Sequence, residues 1–199
     1  MFLATGVAIT IWLLLPSPAS ARVRPALACL GLVIGTAQAL IVVNGIEAIH
    51  YPQFALMAWL LIRSGVGLER AWLTTTALGA FDEVWQWQTL PRAVPGYLDW
   101  NDIVLNAIGA ALGLLVVVRL RGAVLDDRVL PIRVLGAAVA VAAVVALMAG
   151  PVIERPLFRL TPGGRWFHLL SPFEALVSLA VIWGITRLLI RGQRIHPSP

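Results

Sequence analysis

Residues 82–113 read DEVWQWQTLPRAVPGYLDWNDIVLNAIGAALG, and they stand apart from the chain around them. Four carboxylates (Asp82, Glu83, Asp99 and Asp102), two glutamines, two asparagines and Arg92 gather here between long apolar runs. An ionisable side chain left in hydrocarbon costs about 3 kcal/mol or more, so it faces protein, water or a ligand. The stretch therefore marks a place where helices meet one another or meet solvent.

Outward from it, the composition is that of a membrane protein. Of 199 residues, 59% are hydrophobic and 13% charged, with a mean hydropathy of +0.86. Apolar runs at 2–15, 26–43, 47–62, 71–87, 102–118, 133–152 and 173–190 predict an all-α, polytopic transmembrane helical bundle of about seven spans. The first run has fourteen residues. At ~1.5 Å each it is short for a ~30 Å core, so the count falls to six if it does not insert. Ala19-Ser20-Ala21 matches a signal-peptidase pattern, but no positive charge precedes the apolar run and Arg22 and Arg24 follow it. The expectation is an uncleaved first helix. Three regions are expected: amino-terminal helices at 1–39, a core at 40–118 and a two-helix extension at 119–199.

All fifteen basic residues are Arg, and the net charge is +5. They are scattered between apolar segments rather than clustered on one soluble face, which excludes a nucleic-acid surface. Eleven lie in the loops after the first, third and fifth runs, at the end of the seventh, or in the tail. The positive-inside tendency then predicts an external amino terminus and a cytoplasmic carboxyl terminus. The single Cys29 sits in an apolar run and is expected to be buried; no intrachain disulfide can form.

This topology brings the polar groups to one side. Glu47 and His50 open the third run at its outer end. Asp82, Glu83 and Gln86 close the fourth there, Arg92 and Asp99 lie in the following loop, and Asp102 and Asn106 open the fifth. Glu154, His168 and Glu174 share that side. Thr75, Gly79, Asp82 or Glu83 and Gln86 lie on one helical stripe, as do Asp102, Asn106, Gly109 and Gly113. Gly109-x-x-x-Gly113 permits close backbone approach, which predicts a tight hairpin of the fourth and fifth runs with a polar mouth. Trp85, Trp87 and Trp100 suit a water–lipid interface.

These residues in this order (Glu47-Ala-Ile-His50, Asp82-Glu83-Val-Trp-Gln86, Pro91-Arg92, Asp102-Ile-Val-Leu-Asn106-Ala-Ile-Gly109 and Gly113) resemble the VanZ-like membrane proteins. The resemblance covers about residues 40–118. Ile46-Glu47 stands where the family often has Asp-Lys, and Phe54 where an aromatic hydroxyl is common. The resemblance implies a polytopic cell-envelope protein and a link to resistance against the glycopeptide teicoplanin. It supplies no reaction.

Two readings of the polar groups stand side by side. In the structural one, Asp82 or Glu83 pairs with Arg92, Asp102 caps the fifth helix, Asn106 and Gln86 satisfy one another, and Thr74, Thr75 and Thr76 bond within their helix. In the functional one, Glu47, Asp82, Gln86, Arg92, Asp99, Asp102 and Asn106 form a binding pocket, with His50 and Glu83 as acid–base candidates. Such oxygens suit a hard divalent cation at Asp82 and Asp102, whereas no zinc spacing such as H-E-x-x-H exists. Three functions follow: binding of a lipid-linked cell-wall precursor, head group or glycopeptide at the bilayer; an enzyme acting on a lipid or polyprenyl head group; or a transporter. A transporter fits least, because the ionisable groups crowd one end instead of the midplane.

Overall fold

The computed structural model describes residues 24–42, 46–89, 98–121, 158–160 and 166–193. The expected spans at 2–15 and 133–152 lie outside the described residues, as do Arg92, Glu154 and the glycine pair 163–164. Among the described residues are five α-helices: α1 (Arg24–Leu40), α2 (His50–Arg63), α3 (Leu68–Thr89), α4 (Trp100–Arg121) and α5 (Pro172–Gln193). A 3-10 turn at Glu47–Ile49 leads into α2. Five of the seven apolar runs therefore appear as helices, most of them a residue or more longer than the hydropathy alone marks.

The expectation of an all-α chain misses one small element. Strands β1 (Phe158–Leu160) and β2 (Trp166–His168) pair antiparallel, with Arg159 opposite Phe167. Three-residue strands are too short to show a period in sequence.

Helix α4 is the centre of the bundle. Of its stretch Trp100–Val118, 89% is buried, with α2, α3 and α5 packed against it. That is why it is apolar on every side: a helix enclosed by neighbours has no polar face to keep. Its glycines decide how close those neighbours come. A Cβ on Gly109 would lie 2.7 Å from the His50 carbonyl oxygen and 2.9 Å from that of Tyr51, and one on Gly113 would strike the Ala55 backbone. The tightest approach is thus between α4 and α2, not between α3 and α4 as the hairpin reading had it. Small residues announce a close contact without naming the partner. Gly79 of α3 plays the corresponding part on the other side, since a Cβ there would lie 2.8 Å from both Asn106 Cβ and Phe54 Cε1.

The start of α4 is fixed by Asp99, whose Oδ1 accepts the Asn101 N–H at 3.0 Å, the usual N-cap arrangement. The cap had been expected of Asp102. That residue lies in the first turn of the helix, on the face turned to α2. Asn101, 2% exposed, is a hub: its Nδ2 donates to the carbonyls of Ile41 and His168, and its Oδ1 accepts the Leu170 N–H. One buried amide therefore joins the end of α1, the start of α4 and the chain entering α5. Helix α5 begins with a capping box. Ser171 Oγ accepts the Glu174 N–H at 3.3 Å, Glu174 Oε2 accepts from Ser171 N at 2.8 Å, and Pro172 occupies the first helical position. His168 Nε2 meets the other oxygen of Glu174 at 3.0 Å, so both residues serve this junction.

At the opposite end of the bundle, Trp72 Nε1 donates to the Ala107 carbonyl, and its ring lies 5.1 Å from that of Trp183. Beside them Glu69, 3% exposed, forms an ion pair with Arg187 at 3.0 Å, which ties α3 to α5.

Among the described residues, two helical stretches, Trp100–Val118 and Pro172–Gly192, are long and apolar enough to cross a membrane. The outer surface is apolar as well, with Leu32, Leu56, Phe81, Phe173 and Val181 exposed. Helix α1 buries Leu27, Leu30, Ile34 and Ala37 along one stripe, which Ile41 continues just past its end. Cys29 falls on the other face and is exposed, contrary to expectation. In a helix apolar all round, hydropathy cannot separate the side facing protein from the side facing out. Trp100 departs in the opposite sense: it is buried at the head of α4, while Trp85 is exposed.

Candidate functional site

The site lies where the start of α2, the end of α3 and the start of α4 meet. The 3-10 turn delivers Glu47 and then His50, α3 delivers Glu83, and α4 delivers Asp102 and Asn106. The glycines make the convergence possible, because α2 and α3 both reach α4 where a side chain is missing.

Asn106 is the organising residue. It is fully buried, and its Oδ1 lies 2.6 Å from His50 Nδ1. An amide oxygen accepts, so the imidazole donates from Nδ1 and turns Nε2 toward Asp102 Oδ1, 3.6 Å away. On its other side Asn106 acts on the Glu83 carboxylate, although Nδ2 makes no hydrogen bond of ordinary length. The Phe54 ring, one turn along α2, stacks 6.0 Å below the imidazole at 14° and floors the site. His50, Glu83 and Asp102 each place one ligand-type atom within 4.8 Å of the others, which is the spacing of groups that could share a metal ion.

The remaining acids form a ring around this centre. Asp99 and Asp82 act electrostatically on both His50 and Glu83, and Asp99 and Glu47 act on Asp102. Among the described residues, the charges that act on the two central carboxylates include Asp99, Asp82 and Glu47, all negative. Glu83 is buried, whereas Asp82 points outward and accepts a hydrogen bond from Gln86 Nε2 at 2.9 Å. The alternative left open on that stripe, Asp82 or Glu83, thus resolves to Glu83 as the inward carboxylate.

The candidate residues Glu47, His50, Asp82, Glu83, Gln86, Asp99, Asp102 and Asn106 therefore come to one end of the bundle, while Arg92 lies outside the described residues. Several pairings differ from the structural reading. Gln86 bonds Asp82, and Asn106 bonds His50, so the two amides do not satisfy each other. Thr75 and Thr76 are buried with hydroxyls that make no hydrogen bond, against the expected intrahelical bonds. His168 and Glu174 belong to the α5 junction. Sequence reasoning missed Asn101, whose only signal was an amide inside the first turn of an apolar helix, and it missed Phe54 as the floor.

The family model described as VanZ/LLP1 matches residues 7–121 of the chain. The match runs through the last residue of α4 and leaves the ribbon and α5 beyond it. Comparison with curated proteins gave no match, nor did comparison with solved structures.

Proposed function

Because the chain belongs to the VanZ/LLP1 family, we propose that it is a multi-pass protein of the bacterial cytoplasmic membrane whose acid–histidine site engages a lipid-linked or cell-wall head group. Family membership and the apolar helices make it a helical membrane protein; the remainder is argued from the site. The observation that carries the proposal is the burial of Glu83 beside His50, Asp102 and Asn106, with Oε1 of Glu83 and Oδ1 of Asp102 making no hydrogen bond. Desolvated acids are costly unless something compensates them, and a site at the end of a bundle is where a head group could do so. The arginine distribution favours the outer leaflet for this end of the bundle. Engagement of a precursor there would alter the access of teicoplanin-type glycopeptides to it.

One observation favours a second reading, an enzyme acting on the same head group. The His50 ring is held at Nδ1, leaving Nε2 directed toward Asp102, the arrangement of an oriented general base. Deletion of the gene, followed by lipid analysis and teicoplanin susceptibility, tests both. Head-group binding predicts altered susceptibility with precursor structures unchanged; catalysis predicts a new or missing lipid species. No change in either measurement would remove both readings.

A further inference from the structure

The site contains a charge problem that its own side chains leave open. Glu83 is 4% exposed and its Oε1 makes no hydrogen bond. Asp102 Oδ1 is buried and lacks one too. With the ring proton held on Nδ1 by Asn106, the neutral imidazole turns a lone pair at Nε2 toward that carboxylate oxygen. A lone pair and a carboxylate oxygen facing each other repel unless a proton or a metal cation stands between them. Four of the five acids gathered here come within reach of Asp102 or Glu83 and deepen the negative potential.

We infer that His50, Glu83 and Asp102 bind a divalent transition-metal ion of the Mn²⁺ or Zn²⁺ class, through His50 Nε2 and one oxygen of each carboxylate. Donors ~2.1 Å from such an ion stand ~3.4 Å apart on a tetrahedron and ~4.2 Å apart across an octahedron. The His50–Asp102 separation of 3.6 Å already fits, and the 4.8 Å span of the whole set leaves only a small side-chain adjustment for Glu83. One imidazole and two carboxylates suit manganese or zinc; calcium prefers six or more oxygens. Asn106 supplies the partner that metal-bound histidines have on their other nitrogen, fixing tautomer and ring orientation. The hard cation expected at Asp82 and Asp102 moves inward, because Asp82 is exposed and held by Gln86. Local sequence spacing does not speak to such a site, because the three residues come from three helices.

This inference deepens the head-group reading and rests on it for its biological sense. A phosphate-bearing head group would be repelled by the carboxylates of Glu83 and Asp102, whereas a bound divalent ion offers positive charge and open coordination positions.

The test is metal binding by the full chain, purified in nanodiscs and stripped with chelator. Mn²⁺ is titrated with detection by electron paramagnetic resonance, and Zn²⁺ by calorimetry. One saturable site is expected. Glu83→Gln and Asp102→Asn should each weaken it by about tenfold or more, while Asp82→Asn should change it by less than about threefold. Absence of saturable binding of either ion to the wild-type chain overturns the inference, whatever the variants do. It is equally overturned if Asp82→Asn weakens binding as much as Glu83→Gln, since that is diffuse attraction to an acidic surface. Saturable binding without any glycopeptide phenotype would support the metal site and count against the head-group reading alone.

Discussion

His50 Nδ1 and Asn106 Oδ1 lie 2.6 Å apart although 56 positions separate them in the chain. The contact sits one helical turn above Gly109, one of the two glycines at which the backbones of α2 and α4 come together. Polar pairing and small-residue packing are therefore one device: the glycines bring α2 in, and the amide reads which nitrogen of the imidazole carries the proton. Asn106 has no exposure to water that could replace this partner.

Removing the amide should release the tautomer. In metal-free protein labelled with ¹⁵N at histidine and reconstituted in bilayers, the wild-type His50 signal should report a proton on Nδ1. Asn106→Ala should shift the population toward Nε2, with His168 unchanged because its partner is Glu174. An unchanged His50 signal in the variant would mean that Asn106 does not set the tautomer.

The glycines give a graded stability series. A Cβ on Gly113 would enter the Ala55 backbone, whereas one on Gly35 meets nothing within 4 Å. Gly113→Val should cost about 1–3 kcal/mol or more through overpacking. Gly35→Ala should be neutral or stabilising by up to about 1 kcal/mol, as expected for an open helical glycine. Denaturant unfolding in detergent measures both. Equal losses at the two positions would contradict the packing of α2 on α4 described here.

At the other end, Glu69 depends on Arg187. Arg187→Met leaves a carboxylate that is 3% exposed without its counter-charge. Breaking a buried pair costs about 3–5 kcal/mol, and the partial exposure of Arg187 puts the expectation at the low end, about 3 kcal/mol. The double variant Glu69→Leu, Arg187→Met should recover most of that loss, because no charge is then stranded. A double variant as unstable as the single one would show that the ion pair is not what holds α3 to α5.

The sequence carried the helices and the membership of the site, and the reasons are physical. Apolar runs long enough to span a bilayer end where polar residues begin, so α2 to α5 could be placed within a few residues. Ionisable groups in such a chain are costly, so their clustering at Glu47, His50, Glu83 and Asp102 was visible without coordinates. Partners were not. The choice between Asp82 and Glu83 depends on helix rotation, and the partner of Gly109-x-x-x-Gly113 depends on which helix fits. The role of Asn101 depends on carbonyls sixty or more positions away. Nor could hydropathy tell that Cys29 faces outward, since every face of α1 is apolar.

Orientation can be read directly. In a Cys29→Ser background, needed because Cys29 is exposed, a membrane-impermeant thiol reagent added to intact cells should label Ala93→Cys and spare Ala123→Cys. The reverse pattern would put the acid–histidine site at the cytoplasmic face and exclude contact with external glycopeptides.

Glu83, held beside His50 and Asp102, is the group through which we propose this protein acts. The most direct measurement is complementation of a deletion strain, read as teicoplanin susceptibility at equal protein levels. Wild-type protein should restore the parental value. Glu83→Gln, which keeps the shape and removes the charge, should leave the deletion phenotype, while Asp82→Asn on the exposed side of the same turn should restore most of it. Full complementation by Glu83→Gln would contradict the account.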